Sequence, residues 1–367
     1  MPVDYCLPSL PLVLDFETKD ILKQLNKTNK QLAELKGIVQ TIPNEEILIS
    51  TLTLQEAKES SEVENIVTTQ DDLFKYELRI AEFERLPAAK EVLRYREAIL
   101  LGFREIRKNK ILTNNIIQDI QAALIGSAQG FRKIPGTELR SLSGEVIYRP
   151  PQDGDVVLAH MKNLEEYLNA PAACDVDPLV RLAIVHHQFE SIHPFYDGNG
   201  RTGRIICVLF LVLNNLLDLP ILYLSRYITQ TKNEYYRTLQ DVRDGGGRLE
   251  DWQAWILYIL RGIEVTAQHT IAIVKGIRDL MAEYKGVLRP AFGKVYHHEM
   301  LNHLFCHPYT KIEYMQKALS VQRLTAAKYL DKIVELGLLK KVKVGRTNYY
   351  INQKFVDLFV NHEEIAK

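Results

Sequence analysis

The stretch His193-Pro194-Phe195-Tyr196-Asp197-Gly198-Asn199-Gly200-Arg201-Thr202-Gly203-Arg204 interrupts an otherwise helical pattern. Its residue types form a phosphate-handling set. Gly198 and Gly200 let the backbone turn its N–H groups to one side and make an anion-binding concavity. A helix predicted to begin near Thr202 points its positive end at the same place. Arg201 and Arg204, three apart on that first turn, can clamp phosphate oxygens together. Asp197 offers a hard carboxylate oxygen of the kind that holds Mg2+ alongside substrate phosphates. His193 carries an imidazole able to take a hydroxyl proton near neutral pH. Phe195 alternates with these polar positions and is predicted to plug the loop into the core. A Gly-Asn-Gly turn, an arginine pair on a first turn or a single histidine is each ordinarily structural. Their conjunction on one loop is not.

Outward from the loop, helical patterning runs from Val156 to about Tyr284, and Pro290 with Gly293 marks a linker. Before it, Phe131 to Gln152 alternates turn residues (Pro135-Gly136, Ser143-Gly144) with Val146-Ile147-Tyr148, which predicts a short β-hairpin. Further upstream the chain reads as helices. Thr18 to Val39 carries one apolar stripe through Ile21, Leu22, Leu25, Leu32, Leu35 and Ile38. Asn44 followed by Glu45-Glu46 caps the next helix, and more follow over Asp71 to Phe83, Ala88 to Arg107 and Asn114 to Leu124. At the other end, Tyr309-Thr310 is predicted to cap a helix to about Leu319, and a second helix runs from Ser320 to Leu336 and stops at Gly337. Two strands then follow, Leu338 to Val344 and Asn348 to Ile351, with Gly345-Arg346 between them. Helix, turn, helix and two-stranded wing is the winged-helix order.

Composition bounds the rest. The chain has 367 residues, which predicts two or three domains. Its 46 Lys plus Arg balance 46 Asp plus Glu, which argues against an indiscriminate polyanion binder, since such binders rely on excess basic charge. Cys6, Cys174, Cys207 and Cys306 are scattered without C-x-x-C spacing, so no zinc knuckle or dithiol pair is indicated and a reduced, cytoplasmic setting is expected. The first residues lack the pattern of a signal peptide, and the longest apolar run, Ile205 to Leu213, is too short to span a bilayer.

The loop resembles the Fic family signature H-P-F-x-[DE]-G-N-G-R-x-x-R and matches it without a departure; Phe189-Glu190-Ser191-Ile192 and the apolar helix after Arg204 also look like Fic proteins. The resemblance covers about residues 110–265. It implies a mainly α fold: a helical core with a β-hairpin flap, here followed by a C-terminal winged helix. It implies AMP transfer from ATP to a Ser, Thr or Tyr hydroxyl of target proteins and of the chain itself. By position, His193 would be the general base and Asp197 the Mg2+ ligand. Gly198, Asn199 and Gly200 would form the anion hole, Thr202 and Gly203 would belong to the ATP site, and Arg201 and Arg204 would hold the β- and γ-phosphates. Glycine at 200, where the phosphorylating Doc branch has lysine, favours AMP transfer. Tyr235 and Tyr236 sit where relatives place aromatics beside the adenine, although either could simply be core. Arg243 stands where some relatives have an asparagine that contacts the base. The hairpin 131–148 resembles the flap that aligns a target segment by strand addition.

Ser60-Ser61-Glu62-Val63-Glu64-Asn65 matches the inhibitory signature [ST]-x-x-x-E-[GN] of self-restrained Fic proteins. Ser60 is expected to cap a short helix, with Glu64 pairing Arg204 and Asn65 completing the signature. The expected division is a regulatory region over 1–108, a catalytic core over 109–285 and a winged helix over 295–367. Arg323, Lys328, Lys332, Lys340, Lys341, Lys343 and Arg346 allow DNA phosphate contact there, while Glu313, Asp331 and Glu335 dilute that charge. Two alternatives stay open: an enzyme that also or instead removes AMP, and a transcriptional regulator using the core as a nucleotide sensor. The resemblance also allows a homodimer, with no interface specified.

Overall fold

The computed structural model describes residues 5–77, 86–141, 143–169, 176–344 and 347–360. The elements run α1 (Lys19–Val39), α2 (Glu45–Val63), α3 (Gln70–Glu77), α4 (Pro87–Asn109), α5 (Asn114–Ile125), β1 (Leu139–Arg140), β2 (Val146–Tyr148), α6 (Gly154–Asn169), α7 (Pro178–Ile192), α8 (Asn199–Leu213), α9 (Ser225–Gln230), α10 (Lys232–Asp244) and α11 (Leu249–Phe292). Then come α12 (His298–Cys306), β3 (Tyr309–Lys311), α13 (Ile312–Leu319), α14 (Arg323–Glu335), β4 (Lys340–Val344), β5 (Thr347–Ile351) and α15 (Gln353–Val360). The chain is mainly helical, as expected. The end of the helix expected over Asp71 to Phe83, Cys174, the Gly345-Arg346 turn and residues 361–367 lie outside the described residues.

Two compact units form. One holds Met1–Lys36, Thr53–Val67 and Glu91–Ala267; the other holds Gly37–Leu52, Thr68–Lys90 and Gln268–Lys367. In the first, α7 and α8 are the centre. Every residue of α7 from Leu179 to Ile192 is buried, as are most of α8 from Asn199 to Leu211, so neither carries a single apolar stripe. The His193–Arg204 loop therefore joins two helices with neighbours on all sides. Asp177 caps α7 through Leu179 N–H at 2.8 Å, with Pro178 in the first turn where its missing donor costs nothing. Thr113 caps α5, and Gly126 closes it in the left-handed region at φ 79°.

Several sequence expectations shift. Leu22 is half exposed and lies off the α1 stripe, whereas Ile21, Leu25, Leu32 and Leu35 are buried. The Asn44 cap forms, its side chain accepting from Glu46 N–H at 3.0 Å. Ser60, however, lies in the last turn of α2 and caps nothing at its start; the expected short helix is the end of a longer one. α8 begins at Asn199, three residues before the expected start. α11 runs through Pro290, so the expected linker is helix. Pro290 sits in the final turn and removes a single hydrogen bond there; the break comes at Gly293, with φ 51°. The hairpin does form, as β1 and β2 paired antiparallel.

In the second unit, β3, β5 and β4 make an antiparallel sheet in that order. Tyr309-Thr310, expected as a helix cap, is strand, because it pairs with Ile351 and Tyr350 of β5. Tyr284 is fully buried, and its hydroxyl lies 2.8 Å from Leu338 O and 2.7 Å from Asn352 Oδ1, one proton serving both acceptors and linking α11 to the segments on either side of the sheet. No described helix is long and apolar enough to cross a membrane.

Gly102 on α4 shows how closely the helices meet. A Cβ there would lie 2.5 Å from Leu209 Cδ1 of α8 and 2.8 Å from Ile120 Cδ1 of α5. Gly102→Val should cost about 1–3 kcal/mol through overpacking, read as a lower midpoint in thermal unfolding. An unchanged midpoint would show that Leu209 and Ile120 rearrange freely.

Candidate active site

α7 ends on His193 itself, which adopts the left-handed conformation (φ 49°, ψ 59°) and donates its N–H to Phe189 O at 2.9 Å. Such backbone is uncommon for a residue with a Cβ and turns the chain sharply out of the helix. Phe195 is fully buried and plugs the core as expected. Asn199 closes the loop: its Oδ1 accepts from Phe195 N–H and its Nδ2 donates to Phe195 O, both at 2.8 Å. The side chain expected in the anion hole is thus committed to the loop's own backbone. Gly198, at φ 79°, is needed twice over, because a Cβ there would also meet Ile125 Cδ1 at 2.9 Å.

Arg204 is buried and sits against the end of α2. Its Nε donates to Ser60 Oγ at 2.7 Å, and one terminal nitrogen donates to Ser60 O and Glu64 Oε1, each at 2.9 Å. Ser60 and Glu64 are one turn apart, so both face the same guanidinium. Burial alone would raise the Glu64 carboxyl, but Arg204 beside it holds it below the usual carboxylate range. Arg204 is held charged despite its burial, chiefly by Glu64. The carboxylate lies over Gly200: a Cβ there would be 2.6 Å from Glu64 Oε1. Glu64 is fixed by the way α2 ends. Ile66 N–H donates to Ser61 O and Asn65 N–H to Glu62 O, both at 3.0 Å, and Asn65 takes φ 62°. This paired closure requires a left-handed residue at 65, which Gly and Asn tolerate best. Lys232 Nζ reaches Glu62 O at 3.3 Å and Asn65 Oδ1 at 3.2 Å, adding a cation at the helix C-terminus.

Arg201 is also buried. It pairs with Glu91 of α4 at 3.2 Å and approaches Asp197 at 3.7 Å, while its Nε finds no partner among the described residues. Asp197 accepts from Gly198 N–H at 2.6 Å, and its side chain is 70% exposed. One open, hard carboxylate on this loop fits Mg2+ held mostly by nucleotide oxygens and water. No group of three or more His, Cys, Asp or Glu among the described residues could hold a metal by itself. His193 is pushed down to about 4 by burial, with the Arg243 and Arg132 charges adding to it, so its imidazole is neutral at physiological pH.

Thr202 and Gly203 lie on α8 under the loop, and both are buried. A Cβ at Gly203 would collide with Glu190 Oε1 at 2.7 Å. That buried oxygen has no hydrogen-bond partner among the described residues, and burial lifts the Glu190 carboxyl to about 7. Tyr235 is buried with its hydroxyl 2.8 Å from His186 Nε2 and its ring packed beside Trp255 and Tyr258; it is core. Tyr236 is 47% exposed and stands edge-on to Tyr235, so it alone of the pair offers a face to a ligand. Arg243 is buried, donating to Ser191 Oγ at 3.0 Å and stacking 4.1 Å over the Tyr148 ring. Glu91 and Arg132 carry no motif in the sequence, because each meets its partners from distant chain. The basic residues of the C-terminal segment are partly committed: Lys341 to Asp331 at 2.7 Å and Arg323 to Glu313 at 3.5 Å within it, and Lys332 to Ala291 O at the end of α11 at 2.6 Å.

Comparison with known proteins places this geometry. Residues 22–104 match the profile described as Fic/DOC family N-terminal, residues 111–211 match Fic/DOC family, and residues 280–355 match the C-terminal domain of protein adenylyltransferase SoFic-like. The chain belongs to the Fic family. It is similar to protein adenylyltransferase fic-1 of Caenorhabditis elegans, 28% identical over 35% of this chain and 23% of that protein. It is also similar to protein adenylyltransferase Fic of Aedes aegypti, 27% identical over 62% of this chain and 42% of that one. The chain thus spans under half the length of these relatives. Among solved structures, a Fic family protein from Desulfovibrio desulfuricans G20 covers 92% of this chain and 97% of its own length at TM-score 0.56 and 18% identity. A C. elegans Fic-1 fragment covers 70% and 73% at TM-score 0.53 and 18% identity. These two likenesses establish the Fic fold.

The helix ending at Glu64 gives a stability test. Asn65→Val should cost about 1–2 kcal/mol, because a β-branched residue resists the left-handed region, while Asn65→Gly should stay near the parent. Urea unfolding separates the two. Equal stability for all three would mean that the helix end is not held as described.

Proposed function

We propose that this Fic protein transfers AMP from ATP to a Ser, Thr or Tyr hydroxyl of a target protein, itself included, and that Glu64 restrains it. The observation that carries the reading is the contact of Glu64 and Ser60 with Arg204 across Gly200, on a loop whose other groups all suit a nucleotide. The loop amides and the start of α8 bind phosphate oxygens, and Arg201 and Arg204 take the outer phosphates. The target hydroxyl oxygen attacks the α-phosphorus, its proton passes to the imidazole of His193, and the bond to the pyrophosphate oxygen breaks. Asp197 would hold Mg2+, which supplies charge neutralisation on the phosphates when bound. Rate comes mainly from placing the hydroxyl, the phosphorus and the imidazole in line.

With Glu64 on Arg204, a γ-phosphate has no guanidinium to meet and finds a carboxylate over Gly200 instead. Like-charge repulsion pushes the nucleotide out of the productive pose. The β1–β2 hairpin is read as the surface that receives the target segment, by backbone pairing at its short strands. Tyr236 is the residue we assign beside the adenine. The segment over 295–360 is read as a winged helix, from its order of helix, strand, two helices and two strands.

Glu64→Gly should raise AMP transfer, self-modification included, by roughly 5–150-fold, the range of a 1–3 kcal/mol coupling. His193→Ala in that background should lower it by about 10²–10⁴-fold. Labelled ATP with Mg2+ reads both; no gain from the glycine variant would sink the restraint. The pH profile follows from the depressed His193 value. A base with a lowered pKa accepts protons at all higher pH, so kcat/KM of Glu64→Gly should stay level from about pH 6 to 8 and fall only as pH drops toward the value near 4. An acid limb centred near the ordinary histidine value of about 6.5 would overturn it.

A further inference from the structure

Four consecutive carbonyls, from Ser191 to Pro194, lie where α7 ends and the loop begins. The last carbonyls of a helix have no partner within it and ordinarily turn to water. Here each accepts from the flap. Ser191 O takes the Tyr148 hydroxyl at 2.8 Å, Ile192 O an Arg132 terminal nitrogen at 3.1 Å, His193 O the Arg132 Nε at 2.7 Å and Pro194 O the Arg132 backbone N–H at 2.8 Å. The same Arg132 terminal nitrogen also donates to Pro151 O on the returning stem of the hairpin. Arg132 is 1% exposed and Tyr148 equally so, so these bonds form away from competing water. Arg243 braces the set from α10, bonded to Ser191 Oγ and stacked on the Tyr148 ring. Farther along, the Tyr196 hydroxyl accepts from Lys133 N–H at 3.1 Å and Ile134 N–H at 3.2 Å.

We infer that Arg132 is a positioning residue for the transfer step: its guanidinium fixes the flap to the backbone of His193 and so sets where the target hydroxyl meets the imidazole. The inference rests on the reading of His193 as base and of the hairpin as target-binding surface. The chemistry suits only arginine. Three carbonyls at different angles need a planar, forked donor, and a single ammonium cannot span them. The left-handed conformation of His193 makes the fastening matter, since an unpinned residue with a Cβ tends to leave that region. The bound phosphates touch none of these groups in the proposed pose, so nucleotide affinity and transfer rate should separate.

The test uses the full chain carrying Glu64→Gly, with Arg132→Lys and Arg132→Gln added singly, and Tyr148→Phe as a milder variant that removes one bond. Self-modification with labelled ATP gives kcat, and calorimetry with α,β-methylene-ATP and Mg2+ gives Kd. Arg132→Lys is expected to lower kcat by about 10–100-fold, as a misplacement near 1 Å would, with Kd within about twofold. Tyr148→Phe is expected to lower kcat by about fivefold, one hydrogen bond's worth. Histidine-labelled NMR adds a readout independent of turnover: the His193 ring signals should move in both Arg132 variants. If Glu64→Gly transfers no AMP, the functional reading fails, while the NMR comparison still decides the positioning. Unshifted His193 signals, full kcat in Arg132→Lys, or a loss that tracks Kd would each overturn the inference. Thermal unfolding checks that the variants fold, and Tyr148→Phe decides the matter if Arg132→Gln does not.

Discussion

The guanidinium of Arg204 is buried, and arginine cannot shed its proton to relieve that cost, so the fold must bring it an anion. Glu64 is that anion, with Ser60 supplying two further acceptors. Much of the neighbourhood follows from this pairing. A side chain at position 200 would have to displace the carboxylate that lies there. α2 must end with a left-handed residue so that Glu64 points back over α8. Lys232 closes the same helix end, and its charge also favours the ionised Glu64. An adjoining pair repeats the arrangement on a smaller scale, with Arg201 met by Glu91.

The motif loop and the Glu64 signature could be read from the sequence because each packs its meaning into a few consecutive positions. Helix α1, the Asn44 cap and the β1–β2 hairpin were legible for the same reason: periodicity and turn chemistry are local. What could not be read depends on distant chain meeting. Arg132 bonds carbonyls about sixty positions away, and Arg201 finds Glu91 110 positions away. A buried arginine and a surface one look alike in a string of letters. Tyr309-Thr310 looked like a cap and became strand because β5 supplies a partner. Tyr235 and Tyr236 could not be told apart until packing sent one inward. Ser60 illustrates a different limit: its place in the signature was visible, but its place in the helix was not, since α2 continues through a nearly uniform apolar and polar mixture.

The Glu64–Arg204 contact and the contacts that hold the body of α2 are different contacts. Glu56, one to two turns back on α2, is buried among the Tyr95 hydroxyl, the Ser225 hydroxyl and the Ser225 N–H. The Thr229 hydroxyl donates to Glu59 O at 3.2 Å. None of these bonds is made to residues 193–204. Glu64 lies just past the last helical residue, with its side chain 37% exposed against 1% for Arg204. Glu64 is therefore the partner of the pair that water reaches. A nucleotide phosphate arriving at Arg204 would replace one negative charge with another, so the buried guanidinium never stands unpaired. On the proposed reading, the balance between restraint and activity is a contest between two anions for one buried cation.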